Sequence, residues 1–321
     1  MNLPTAHPSL LQRVVYALDF VFLLRPTQFF PLWATMFAGI ALGARVEFFS
    51  PHPFPATAIL SSMLCAGHIY LFNQIIDREN DAVNKKLFIL ESGVVSLRAA
   101  WIEGVMLVII SLALAWTVSN EFFYVVLFST LLGLTYSFLG LMNRPIISAA
   151  MNASGGVTTF LAGVYAVSPS ETSFFQLLFF SLPFGLAWAA VFVLVTLPDM
   201  EGDRQFGKRT LAVHYGVSVT LLTALVLDAL ALAVAIATLN IYVIATIGLS
   251  ALVSLPLFWQ TWKRGRADDI FLPVKYSMLC LALTAACFLP LSLALAAVTF
   301  FACKAYYKAR FGLDYPNFGK K

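Results

Sequence analysis

Residues 173–203 read SFFQLLFFSLPFGLAWAAVFVLVTLPDMEGD: positions 173–198 carry no charge, and Asp199, Glu201 and Asp203 follow at once. A helix crosses a bilayer in ~20 mostly apolar residues. Hydrocarbon offers the backbone no hydrogen-bond partner, so a run this long must satisfy its amides internally, as a helix. A membrane barrel would show short alternating segments, which are absent. Further runs lie at 28–46, 56–76, 99–118, 122–142, 145–167, 217–238, 240–262 and 273–300. Together they predict an all-α, polytopic transmembrane bundle of about nine helices around a central cavity, with a polar cap on the cytoplasmic side.

Composition leads the same way. Of 321 residues 60% are hydrophobic and 11% charged, and the mean hydropathy is +0.85. That is far more apolar surface than a soluble fold of this size buries, so the solvent for most of the chain is membrane lipid. The net charge of +4 is dispersed among apolar segments instead of forming a basic stripe, which argues against nucleic acid as a partner. Cys65, Cys280, Cys287 and Cys303 lie in apolar segments without CxxC or Cys/His spacing, so neither a disulfide framework nor a zinc site is expected.

Residues 1–27 intersperse Arg13, Asp19 and Arg25 in an apolar pattern and read as an amphipathic surface segment, not a cleaved leader. Residues 28–302 form the expected transmembrane domain, and 303–321 a basic polar tail. The longer polar loops, 77–98, 199–216 and 263–274, fall on one side. That side collects Arg78, Lys85, Lys86, Arg98, Arg144, Arg204, Lys208, Arg209, Lys263, Arg264 and Arg266. The positive-inside rule puts it in the cytoplasm, for a protein of a bacterial-type inner membrane or an organellar membrane. Nine spans would send the tail, with Lys304, Lys308, Arg310, Lys320 and Lys321, to the opposite side, against the same rule.

At the end of the second run, Asn73, Asp77 and Asp81 recur every four residues. On one continuous helix they share a face, drifting only ~40° per step. After the sixth run, Asp199 and Asp203 repeat the spacing at the same expected membrane face. Mg²⁺ takes hard oxygen ligands, usually one or two carboxylates with water and substrate phosphate completing the shell. Two such stripes can clamp a diphosphate through metal bridges, with Arg78, Lys208 or Arg209 offsetting its charge. The plainer alternative is that acidic residues at helix ends are solvated caps. Two matching motifs on one face weigh against it.

With these motifs the chain resembles the UbiA superfamily of intramembrane prenyltransferases. The resemblance rests on N-x-x-x-D-x-x-x-D at Asn73, Asp77 and Asp81, D-x-x-x-D at Asp199 and Asp203, then Gly207-Lys-Arg-Thr-Leu-Ala-Val and Gly216, with Arg25-Pro26 ahead of the first span. It implies nine helices, Mg²⁺ as cofactor, and a polyprenyl diphosphate whose allylic cation is captured by a small acceptor, most often an aromatic ring. It implies that Asn73, Asp77, Asp81, Asp199 and Asp203 hold metal and diphosphate, the four aspartates being the catalytic set. Tyr136-Ser137 resembles the family's fourth-span signature, so Tyr136 joins Asn73, Arg78, Arg144, Lys208 and Arg209 as diphosphate-binding candidates. The chain departs from the pattern in three places, one being Thr196 and Val195 where many members carry an acidic or amide residue three or four positions before the second motif. The Asn-Arg-Pro that many members carry after the first motif is absent, and Asn143-Arg144 stands where a lysine is usual. Asn73-Gln74, Asn84-Lys85 and Asp199-Met-Glu-Gly-Asp203-Arg are similar to homogentisate-type members, while other acceptors stay open.

Other polar residues have structural readings. Asp228 lies in the middle of the seventh run, where a charge costs at least ~2.5 kcal/mol, and either lines a cavity or is a structural aspartate. His68 falls off the Asn73 stripe and reads as a packed histidine. Glu79 and Glu201 flank the aspartates and read either as supports behind the site or as solvent-facing. Gly155 and Gly156 suit close helix packing. A CDP-alcohol phosphotransferase would carry an Asp-Gly-x-x-Ala-Arg run, which is missing. A secondary transporter would place its acidic groups at the membrane midplane.

Overall fold

The computed structural model describes residues 10–44, 55–83, 89–167, 172–265 and 270–316. Among them every regular element is a helix and there is no strand. In order, the helices are α1 Leu10–Leu23, α2 Phe29–Gly43, α3 Ala56–Ile76, α4 Arg78–Val83, α5 Leu97–Val118, α6 Asn120–Phe138, α7 Pro145–Tyr165, α8 Phe174–Val195, α9 Met200–Gln205, α10 Leu211–Ala237, α11 Ile241–Arg264, α12 Phe271–Phe288 and α13 Leu291–Phe311. Of these, α3, α5, α6, α8 and α10 are long and apolar enough to cross a membrane. Asn84, Lys85, Lys86, Arg266, Lys320 and Lys321 lie outside the described residues.

Helix starts follow capping chemistry. Ser173 and Gln176 close a reciprocal box at the head of α8. Ser96, Ser119, Thr210 and Asn240 each accept a backbone N–H at the starts of α5, α6, α10 and α11. Within α10, Gly216 sits at φ 80°, ψ 178°, a conformation only glycine adopts readily, so the long span begins after it, as the apolar run at 217 suggests.

Two expectations about the ends need correction. The run 273–300 is not one span: it breaks between α12 and α13 at Leu289 (φ −131°, ψ 88°), because Pro290 has no N–H to continue the ladder and disfavours helical geometry in its predecessor. The boundary at 303 falls inside α13, whose Cys303, Tyr306 and Tyr307 are buried. This helix docks on α1. Asp19, 3% exposed, accepts hydrogen bonds from Tyr306 Oη at 2.5 Å and from Arg310 Nε and Nη2 at 3.1 and 3.2 Å. Phe22 stacks on Tyr306 with ring centroids 3.8 Å apart. The acidic residue of α1 therefore faces inward while Phe20 and Val21 are exposed, as suits a helix against lipid.

The helices pack as neighbours α3 on α5, α2 on α7, α7 on α8 and α8 on α10, and the short helices α4 and α9 touch. Among the described glycines the α2–α7 contact is the closest: a Cβ on Gly39 would stand 2.1 Å from the Phe160 carbonyl oxygen, and one on Gly163 2.0 Å from that of Met36. Small residues admit such contact where no hydrophobic force drives helices together. Gly163→Leu is expected to destabilise the protein by about 2–3 kcal/mol, read as a lower unfolding temperature in detergent. Gly248→Leu, which enters open space, is expected to leave that temperature unchanged.

Candidate active site

The first motif is not one unbroken stripe. Asn73 lies in the last turn of α3, Asp77 is its C-cap at φ −90°, ψ 7°, and Asp81 belongs to the separate helix α4. The backbone ladder survives the bend, since Asp77 N donates to Asn73 O and Asp81 N to Asp77 O, both at 2.8 Å. The bend has a physical reason. The apolar body of α3 packs along α5, whereas the next turn exposes Arg78 and Glu79 and buries Asn80 and Asp81. The second motif is built alike. Asp199 is the N-cap residue of α9, Asp203 N donates to its carbonyl at 2.9 Å, and Asp203 is 5% exposed.

Tertiary contacts bring the motifs together. From the first, Asn80 Nδ2 donates to Asp203 Oδ1 of the second at 2.9 Å. From the second, Lys208 Nζ pairs with Asp77 Oδ1 of the first at 2.7 Å. Asp81 pairs with Arg25 Nη2 at 2.9 Å, both side chains mostly buried. Arg25 follows α1 in the left-handed region, φ 53°, and Gln74 Nε2 fixes the approaching chain through the Leu23 carbonyl at 2.9 Å. Asn73 Nδ2 donates to Asp77 Oδ2 at 3.3 Å. Tyr136 is hydrogen-bonded with Asn152 and stands within electrostatic reach of Asp77 and Asp203.

Asn73, Asp77, Asp81, Asp203, Tyr136 and Lys208 thus gather at one rim, with Asp199 heading the helix that carries Asp203. Arg78, Arg144 and Arg209 are exposed. A cleft of about 370 Å³ opens beside α4, lined by Arg78, Glu79, Ala82, Leu90 and Glu91 among others. Among the described residues no three acidic, histidine or cysteine side chains close around one point. The carboxylates repel one another, and Arg25, Lys208 and Asn80 stand beside them as counter-groups. His68 is buried and contacts the Leu64 carbonyl at 3.2 Å, the packed role expected of it. Glu79 and Glu201 are exposed, the solvent-facing one of the two roles open to them.

Sequence reading missed two contributors. Arg25 was legible only as part of the Arg25-Pro26 resemblance, since 56 residues separate it from Asp81. Asn80 lies between the motif aspartates, off their four-residue spacing, and carried no signal.

A helical bundle with membrane-length spans and two aspartate motifs meeting at one rim defines an integral membrane protein. The chain belongs to the UbiA prenyltransferase family, whose model matches residues 32–279. It is 26% identical over 214 residues to the bacteriochlorophyll synthase 34 kDa chain of Chloroflexus aurantiacus, covering 65% of this chain and 68% of that one. It is 29% identical over 194 residues to the chloroplastic homogentisate phytyltransferase 1 of Arabidopsis thaliana, covering 56% of this chain and 48% of the relative. The chain thus spans about half to two thirds of the length of these relatives. The fold matches a UbiA homolog from Archaeoglobus fulgidus solved with DMAPP and Mg²⁺, with a TM-score of 0.69 at 18% identity, over 87% of this chain and 99% of that one.

Removing the cation beside a buried carboxylate is costly. Arg25→Ala is expected to destabilise the protein by about 3 kcal/mol, and Asp81→Asn in the same background to recover most of the loss. Thermal unfolding of the purified proteins measures both, and an unchanged midpoint for Arg25→Ala would contradict the pairing.

Proposed function

We propose that this protein holds a prenyl diphosphate with Mg²⁺ between its two aspartate motifs and transfers the prenyl group to an acceptor, with the motif rim on the cytoplasmic side of the membrane. The observation that carries this reading is the reciprocal crossing of the motifs, Asn80 to Asp203 and Lys208 to Asp77. Acidic side chains from two distant parts of the chain meet there, next to exposed cations.

The donor set fits Mg²⁺. It offers hard oxygens from Asp77, Asp81, Asp199, Asp203 and Asn73, and one or two carboxylates suffice when water and phosphate complete the shell. The buried Asn80 Oδ1 has no hydrogen-bond partner among the described residues, as befits a place that a cation or its water completes. When bound, Mg²⁺ supplies Lewis-acid stabilisation of the departing diphosphate.

The protein's own residues supply binding and orientation. Arg78, Arg144 and Arg209 raise the local concentration of a polyanion at the rim. Lys208 and Arg25, which neutralise Asp77 and Asp81, are placed to pair with phosphate oxygens as the carboxylates turn to the ion. Tyr136, braced by Asn152, adds a hydroxyl beside Asp77. The prenyl tail runs along apolar helix walls, which exclude water from the allylic cation. The solved relative bound to DMAPP and Mg²⁺ supports the donor half.

For the acceptor we favour an aromatic ring, in quinone or related prenyl-lipid synthesis, with the homogentisate phytyltransferase among the relatives in its support. Membranes carrying Asp77→Ala or Asp199→Ala are expected to lose at least about a hundredfold in Mg²⁺-dependent turnover of allylic diphosphate. Wild-type rates in both would sink the proposal. Mass spectrometry of the lipids formed from mixed-length prenyl diphosphates and a panel of acceptors identifies the second substrate.

A further inference from the structure

Asn80 is a buried amide satisfied at one end only. It is 4% exposed, and its contact with Asp203 Oδ1 at 2.9 Å fixes which end points where. A carboxylate oxygen accepts, so the NH₂ end must serve it. The carbonyl end, Oδ1, is left buried without a hydrogen-bond partner among the described residues.

Packing does not account for this. An apolar side chain of similar size would fill the α4–α9 contact without stranding an acceptor, and a buried oxygen without a donor is unfavourable. Asn80 also lies next to Asp81 in sequence, and its side chain stands against the Asp203 carboxylate. No further anion belongs there, but a cation does. The two crossings differ in kind. Lys208 brings a charge that must leave Asp77 before an ion can take its place, whereas Asn80 brings a neutral hard oxygen that can stay.

We propose that Asn80 is a further oxygen ligand of the cation site in this chain: Oδ1 contributes to the ion's shell, directly or through one water, while Nδ2 holds Asp203. Neutral amide oxygens are ordinary ligands for hard cations. A neutral donor also leaves the site less anionic than a further carboxylate would, which favours a diphosphate as co-ligand. The inference rests on the divalent-cation reading above.

Its test measures cation binding without turnover. Mn²⁺ is titrated by electron paramagnetic resonance into the purified full-length protein with inorganic pyrophosphate, and unfolding temperature is recorded with and without Mn²⁺. Asn80→Leu removes the oxygen and keeps the bulk; it is expected to weaken Mn²⁺ about tenfold. Asn80→Asp cannot donate to Asp203 but still offers an oxygen. It is expected to lower the metal-free unfolding temperature, by repulsion from Asp203, and to show wild-type or tighter Mn²⁺ binding with a larger Mn²⁺-induced rise in that temperature.

Unchanged Mn²⁺ affinity in Asn80→Leu would overturn the proposal. So would equal loss in both variants, since a mere strap between α4 and α9 is lost in both. If wild type itself fails to bind Mn²⁺ with pyrophosphate, the cation reading of the whole site falls, a result distinct from failure at Asn80 alone.

Discussion

Like charge at the meeting of α4 and α9 is the constraint to which the rest of the fold answers. Asp81 and Asp203 are each about 5% exposed, and Asp77 is mostly buried beside Lys208. Carboxylates withdrawn from water must be paired or hydrogen-bonded. Here the partners come from elsewhere in the chain: Arg25 from the end of α1, Lys208 from the turn after α9, Asn80 from α4. Each partner ties down the segment that carries it, so neutralising the site also fixes its walls.

The helices deliver these groups by stopping. α3 and α8 are apolar bodies that end at Asp77 and just before Asp199, and each gives way to a six-residue helix of polar sequence. A spanning helix continued straight would carry its aspartates past one another along the axis. The bends turn α4 and α9 toward each other at the rim; the i to i−4 backbone bonds run on through Asp77, and at the second motif they resume where Asp203 N donates to the Asp199 carbonyl. The diphosphate reading draws on that geometry, which joins a polar rim to membrane-length apolar walls.

The termini serve the same site. Asp19 anchors α13 onto α1 through Tyr306 and Arg310, and Thr27, two residues past Arg25, contacts Tyr315 at 3.3 Å. The C-terminal helix thus braces the turn from which Arg25 reaches Asp81. A segment that reads as a basic tail is part of the frame, because Cys303, Tyr306 and Tyr307 face inward while Lys308 is exposed.

The sequence by itself determined the all-helical class, the ends of α3, α5, α7 and α8 to within three residues, and the family. Long uncharged runs and a four-residue aspartate spacing are local signals, set by backbone hydrogen bonding in lipid and by the pitch of a helix. It also read His68 as packed; for Glu79 and Glu201 it left two roles open, and the structure shows both side chains exposed. It ran together α12 and α13 because hydropathy is blind to the missing N–H of Pro290, and it drew one stripe through Asn73, Asp77 and Asp81 because spacing is blind to a bend. Only the tertiary structure decided which groups neutralise which. Arg25 and Asp81 are 56 residues apart and Asn80 and Asp203 are 123 apart, and pairing across such distances is fixed by helix packing, not by any pattern along the chain.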